Sequence, residues 1–150
     1  MQSGAPLILN GDDDKLWGYR NENFRQIYFA LENTQSDILA KEIETVNGET
    51  VFTVCFHGSQ TQRVTIPTVG KHNVYDALAA FAAGLSLEIS PEKIAAGLRN
   101  YVPAGMRQRI RTVAEVTVIE DCYNASPDSQ KAALNVLSAL PAPVSYTHLR

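Results

Sequence analysis

Apolar and polar positions along this chain follow two successive rhythms. Up to Ile66 the apolar runs are short and separated by turn-forming residues, which is a strand pattern. Leu7 to Leu9 reads as a buried strand closed by Asn10-Gly11-Asp12-Asp13-Asp14. Gln26 to Leu31 is a second strand and Ile38 to Val46 a third. The third runs into Asn47-Gly48, a pair that tolerates positive φ and so predicts a hairpin into Thr50 to Phe56. Gly58-Ser59 turns the chain back into Arg63 to Ile66, and the succession of strands predicts a meander.

After Pro67 the rhythm changes. From Asn73, the positions Val74, Ala77, Leu78, Phe81, Ala82 and Leu85 form the stripe of a helix buried along one side. Alanines at 77, 79, 80, 82 and 83 suit close packing on a sheet. Ser90-Pro91-Glu92 opens a second helix, with Ile94, Leu98 and Tyr101 expected to point inward. Ala104-Gly105 reads as a hinge between two parts. Beyond it, Arg109 to Val113 and Val116 to Ile119 are β-prone, and the polar loop from Glu120 to Ala125 leads to a third helix at Ser126-Pro127-Asp128. Its inward stripe is Ala133, Val136, Leu137 and Leu140. Strand, polar loop and helix in that order open a βα unit, in which ligands sit beyond the carboxyl end of the strand. The fold class is therefore α/β.

Composition narrows the function classes. With 45% apolar and 19% charged residues, the 150-residue chain is neither disordered nor a disulfide-dense mini-protein. No apolar run reaches the ~20 residues of a membrane span, and no secretory leader precedes Leu7. A net charge of −3 argues against broad capture of nucleic acid. Cys55 and Cys122 lack partners at metal spacing and read as two reduced thiols. The final seven residues, 144–150, match the translation of a transposase adaptor used in sequencing libraries and are set aside as a scar.

Three polar clusters are candidates for chemistry. The first, Gly70-Lys71-His72-Asn73-x-x-Asp76, lies at the mouth of the alanine-rich helix, where free N–H groups suit anions and polar ligands. Helix capping by Asn73 is the simpler explanation and the one favoured by spacing. It is not a P-loop: no glycine stands five positions before Gly70, and His72 occupies the Ser/Thr position. In the second cluster, Gly105 to Arg109, Arg107 either sets a planar guanidinium against phosphate oxygens or is an exposed interdomain arginine. In the third, the carboxylate of Asp121 either accepts from ribose hydroxyls or caps the following helix, a task for which Ser126 is better placed. The aspartates 12 to 14 fit a metal less well than a solvated turn. These residues support a nucleotide site at the hinge without naming a reaction.

In this order the clusters resemble the Mur ligases, ATP-dependent amide-forming enzymes of peptidoglycan precursor synthesis. Ile66-Pro67-x-x-Gly70-Lys71-His72-Asn73-Val74-Tyr75, with Ala77-Leu78-Ala79-Ala80 after it, is similar to the end of their central ATPase domain. Val118 to Ser129, through Glu120-Asp121-Cys122-Tyr123-Asn124-Ala125, is similar to the start of their C-terminal domain. Leu9-Asn10-Gly11-Asp12-Asp13 is similar to the family's Asn-x-Asp-Asp strand end. The Tyr-Asn-Ala-x-Pro-Asp form resembles the branch that adds D-alanyl-D-alanine to UDP-N-acetylmuramoyl-tripeptide.

The resemblance implies residues 1–104 as the later part of the central domain, a mixed sheet with helices. It implies 105–143 as the first βα unit of a Rossmann-like C-terminal domain. It further implies an ATP site built by His72, Asn73, Asp76, Arg107, Asp121, Tyr123 and Asn124, with Arg107 on phosphate and Asp121 on ribose. At Asp76 the family usually has asparagine, whose amide donates to adenine N7 and accepts from N6; aspartate keeps only the acceptor. The reaction implied is transfer of the ATP γ-phosphoryl group to a carboxylate, followed by attack of an amine on the acyl phosphate. The P-loop, the Mg²⁺ ligands and a carbamylated lysine are expected upstream. The chain is thus expected to be an inactive internal fragment of a cytoplasmic, monomeric ligase with no catalytic or metal-ligating residue of its own. The alternatives are another Mur ligase, a folylpolyglutamate synthase, or a non-catalytic nucleotide-binding module.

Overall fold

The computed structural model describes residues 4–102, 109–123 and 125–140. They belong to two compact units that meet in sequence at Tyr101 and Val102. The expected hinge at Ala104-Gly105 and the final seven residues lie outside the described residues.

In the first unit, β1 (Ala5–Asn10), β2 (Phe24–Ala30), β3 (Ile38–Val46), β4 (Glu49–Phe56) and β5 (Gln60–Ile66) form one sheet in sequential order. The meander expected from the sequence covers only part of it. β3, β4 and β5 are antiparallel, β3 turning into β4 at Asn47 (φ 53°) and Gly48 (φ 80°) and β4 into β5 at residues 57–59, whereas β1, β2 and β3 run parallel. Parallel neighbours need a return crossover, which residues 11–23 supply between β1 and β2. The sheet is therefore mixed, as expected for its α/β class.

β4 alternates strictly, with Thr50, Phe52, Val54 and Phe56 buried and their neighbours half-exposed. Against this face lies α1 (Lys71–Ser86), burying Val74, Ala77, Leu78, Phe81 and Ala82 along the predicted stripe. Phe56 and Phe81 pack with ring centroids 5.4 Å apart. The buried Thr50 hydroxyl donates to the Thr68 carbonyl at 2.7 Å, so this polar group costs the core little. α2 (Pro91–Arg99) packs against α1 and β5 through Ile94, and a Cβ at Gly84 would lie 2.7 Å from its side chain. Glycine is what allows that approach. Tyr101 departs from the inward position expected of it. The helix ends at Arg99, two residues earlier, and Tyr101 is 52% exposed.

The second unit holds an antiparallel hairpin of β6 (Arg109–Val113) and β7 (Val116–Glu120), followed by α3 (Pro127–Ala139). Ser126 caps α3 as expected: its hydroxyl accepts the Ser129 N–H, and the Ser129 hydroxyl accepts the Ser126 N–H in a reciprocal box. Val136 is buried, and Ala133, Leu137 and Leu140 are half-buried on the same stripe.

Candidate nucleotide site

The chain leaves β5 through Pro67 and Thr68 and turns into α1 at Gly70, whose φ of 104° suits a residue without Cβ. Because the helix starts at Lys71, Asn73 is its third residue and does not cap it. Its Nδ2 instead donates back to the Val69 carbonyl at 2.8 Å, bracing the loop that enters the helix. Capping by Asn73 was inferred from a helix starting there; the earlier start removes the reason for it. His72 is exposed, with its Nε2 3.2 Å from Asn73 Nδ2. Asp76 follows on the next turn, exposed and without a hydrogen bond or ion pair among the described residues.

Asn73 and Asp76 border a cleft of about 180 Å³ in the first unit. Its other walls are Ile66 at the end of β5, Thr68 just after it, Ala77 and Ala80 of α1, Leu98 of α2, and Tyr101 beyond α2. The lining is mostly apolar, with Thr68, Asn73 and Asp76 as its non-aromatic polar residues. Such a cleft takes a mostly apolar ring and orients it by one or two hydrogen bonds. His72 is not among the residues bordering it.

A second constellation, not singled out as functional by the sequence, braces the same helix. The Asp12 carboxylate, just past β1, accepts the backbone N–H groups of Leu31 (2.7 Å), Glu32 (3.2 Å) and Asn33 (2.7 Å). It also accepts the hydroxyl of Tyr75 on α1 at 2.8 Å. Partial burial acts to raise the Asp12 pKa. The Leu31 N–H, the Tyr75 hydroxyl and the N–H groups of Asn33 and Glu32 outweigh it and hold the carboxyl below its ordinary value. Burial, then the Asp12 hydrogen bond and charge, then Glu32, push the Tyr75 hydroxyl well above its usual range. Asp13 accepts the N–H groups of Lys15 and Leu16, so the aspartate run works as a turn. Among the described residues no group of three or more His, Cys, Asp or Glu side chains is placed to hold a metal ion.

In the second unit, Asp121 and Tyr123 are exposed between the end of β7 and the cap of α3. Just before them, Glu120 pairs with Arg111 across the hairpin. The structure thus places His72, Asn73 and Asp76 together on one helix, and Asp121 and Tyr123 on one loop. Arg107 and Asn124 lie outside the described residues.

Residues 1–84 match the Mur ligase middle domain. A UDP-N-acetylmuramate–L-alanine ligase of Chlorobium chlorochromatii is 40% identical over 116 residues, 75% of this chain and 24% of that protein. A UDP-N-acetylmuramoyl-tripeptide–D-alanyl-D-alanine ligase of Bacillus subtilis is 47% identical over 76 residues, 50% of this chain and 17% of that protein. The crystal structure of MurF from Acinetobacter baumannii superposes with a TM-score of 0.81 at 30% identity, covering 91% of this chain and 30% of that one. MurF from Thermotoga maritima in complex with ADP shares the fold, with a TM-score of 0.79 at 18% identity over 93% of this chain and 32% of that one. The chain spans about a quarter of the length of the L-alanine ligases it matches. Among the described residues no helix is long and apolar enough to cross a membrane.

Proposed function

The chain belongs to the Mur ligase family, and from that membership we propose that its cleft between α1 and α2 receives the adenine ring of ATP in a peptidoglycan-precursor ligase. One observation carries the proposal: Asn73 and Asp76 of the Gly70 to Asp76 motif border a cleft whose other lining residues are mostly apolar. The residues fit the base. Leu98, Tyr101 and the alanines of α1 offer apolar and aromatic surface to the ring, and Asp76 accepts from the exocyclic amine. Asn73 keeps the entry to α1 rigid through the Val69 carbonyl. Asp121 and Tyr123 of the second unit contribute to ribose and nucleotide binding, with Arg107 on phosphate and Asn124 beside it. His72 contributes at the mouth of the helix.

ATP supplies the phosphoryl group that activates a carboxylate, with Mg²⁺ held by residues other than those described here. The contribution of this chain is to bind and orient the nucleotide in a cytoplasmic enzyme acting as a monomer. As substrates we propose UDP-N-acetylmuramoyl-tripeptide and D-alanyl-D-alanine. The Tyr123-Asn124-Ala125 loop, the 47% identity to the Bacillus subtilis ligase and the Acinetobacter structure support this. The longer 116-residue match favours a second reading, addition of L-alanine to UDP-N-acetylmuramate. The test is phosphate release by the full-length protein, given ATP with each substrate pair in turn. Turnover with the tripeptide and D-alanyl-D-alanine is expected. Turnover with L-alanine alone would move the assignment to the second reading, and none with either pair would overturn both.

A further inference from the structure

We infer that Tyr75 is a positioning residue for the nucleotide: held by Asp12, it fixes the roll of α1 about its own axis and so keeps Asn73 and Asp76 turned toward the cleft. The inference rests on the reading that the base of the nucleotide enters that cleft. α1 presents three stripes. Val74, Leu78 and Phe81 lie in the core. Asn73, Asp76, Ala77 and Ala80, spaced as one helical face, border the cleft on one flank of that core stripe. Lys71 and Tyr75, one turn apart, lie on the other flank, where Tyr75 meets the Phe29 ring and the Asp12 carboxylate. At about 100° per residue, Tyr75 stands roughly 150° round the helix from the middle of the cleft face.

Apolar contacts are non-directional, so the core stripe resists lifting of α1 off the sheet more than rolling on it. A hydrogen bond at a flank is directional. The Tyr75 hydroxyl donates to Asp12 at 2.8 Å, and the same carboxylate is itself fixed by the N–H groups of Leu31 and Asn33 at 2.7 Å. The Lys71–Glu32 pair on that flank is 3.9 Å apart with both side chains largely exposed, and it adds little. Roll matters through leverage. Side-chain ends lie about 5–6 Å from a helix axis, so a roll of about 10° carries them through about 1 Å. A binding constellation works only within about 0.5 Å of its geometry. Asp76 has no hydrogen bond or ion pair of its own among the described residues, so the roll of α1 is what aims it.

The experiment is calorimetric titration of the full-length protein with β,γ-imido-ATP, a non-hydrolysable ATP analogue. Parent, Tyr75→Phe, Tyr28→Phe and Ala80→Phe are compared. Tyr75→Phe keeps the ring and removes only the hydroxyl. Tyr28→Phe is the matched control, removing a hydroxyl that holds Tyr19 and Arg20 rather than α1. Ala80 is exposed and borders the cleft, so a phenylalanine there obstructs the cleft without entering the core. Loss of folded protein lowers the number of binding sites and leaves the affinity, whereas loss of positioning lowers the affinity and leaves the number. Tyr75→Phe is expected to bind about ten-fold more weakly at unchanged stoichiometry, the factor equivalent to one hydrogen bond to a charged acceptor, and Tyr28→Phe to stay within about two-fold of the parent. Ala80→Phe is expected to weaken binding. If Ala80→Phe weakens binding but Tyr75→Phe has the affinity of the parent or of Tyr28→Phe, positioning by Tyr75 is overturned while the cleft remains the base site. If Ala80→Phe binds as the parent does, or the parent binds no nucleotide, the assignment of the cleft falls together with the inference.

Discussion

Replacing Asp12 by alanine tests whether one carboxylate holds the first unit together at the end of its parallel strands. The substitution leaves the N–H groups of Leu31, Glu32 and Asn33 and the hydroxyl of Tyr75 without their common acceptor. Hydrogen bonds to a charged group contribute roughly 1.5–3 kcal/mol each when water is excluded. Here Glu32 is exposed and the other partners are half-buried, so water replaces part of the loss. The bonds from Leu31 and Tyr75, the shortest to partly buried apolar or aromatic residues, dominate, and the net cost is about 3 kcal/mol. For a unit of this size that is a fall in Tm of roughly 10–20 °C. Asp12→Asn keeps one acceptor oxygen but turns an N–H₂ toward backbone donors, and is expected to lose about half as much. The assay is urea unfolding of the whole chain, followed by circular dichroism. Folding lowers the Asp12 pKa below its ordinary value of 3.8, so the stabilisation is complete above that pH and fades as pH falls through the folded-state value. The parent should therefore converge on Asp12→Ala in acid. An Asp12→Ala protein within about 0.5 kcal/mol of the parent at pH 7 would refute the reasoning, since the network would then be no better than hydration.

Two further outcomes follow from neighbouring contacts. The Tyr75 hydroxyl is raised above its ordinary value of 10, so its contribution is complete below pH 10 and is lost as pH rises toward the folded-state value. Tyr75→Phe should cost about 1 kcal/mol at pH 7 and flatten the stability loss above pH 10, measured as the parent-minus-variant difference in urea midpoints. Gly84→Ala gains about 1 kcal/mol of helix propensity but pushes a methyl group to 2.7 Å from Ile94. Overpacking by roughly 1–3 kcal/mol should prevail, lowering Tm, and Ile94→Val in the same protein should recover part of the loss.

Much of the architecture was legible from local chemistry. The Asn47-Gly48 turn, the α1 stripe from Val74 to Leu85 and the Ser126 cap each depend on residues a few positions apart, and each appears where the pattern put it. The parallel pairing of β1 with β2 and of β2 with β3 was not legible, because alternation within a strand says which face is buried but not which strand lies beside it. Asp12 escaped for a related reason. Three of its partners are backbone N–H groups 19 to 21 residues away, which leave no mark on residue type, so Asp12-Asp13-Asp14 looked like a solvated turn. Asn73 misled in the opposite sense, since asparagine at a helix mouth usually caps and here braces the preceding loop. Within the proposed site, Asp76 was visible from spacing. The partners of the cleft, Ile66, Leu98 and Tyr101, come from three separate elements that only the tertiary fold brings near it.

The two halves of the five-stranded sheet also differ in how far apart in sequence their neighbours lie. β3, β4 and β5 are joined by turns of two or three residues, while β1 reaches β2 only across a thirteen-residue excursion. Closing a short loop sacrifices less chain entropy than closing a long one, so the order of assembly is biased before any side chain packs. On that ground the consecutive hairpin pair is expected to form first, with α1 condensing onto it and β1 docking late. The Asp12 clasp is then a latch set near the end of folding, and weakening it should hasten unfolding more than it slows refolding.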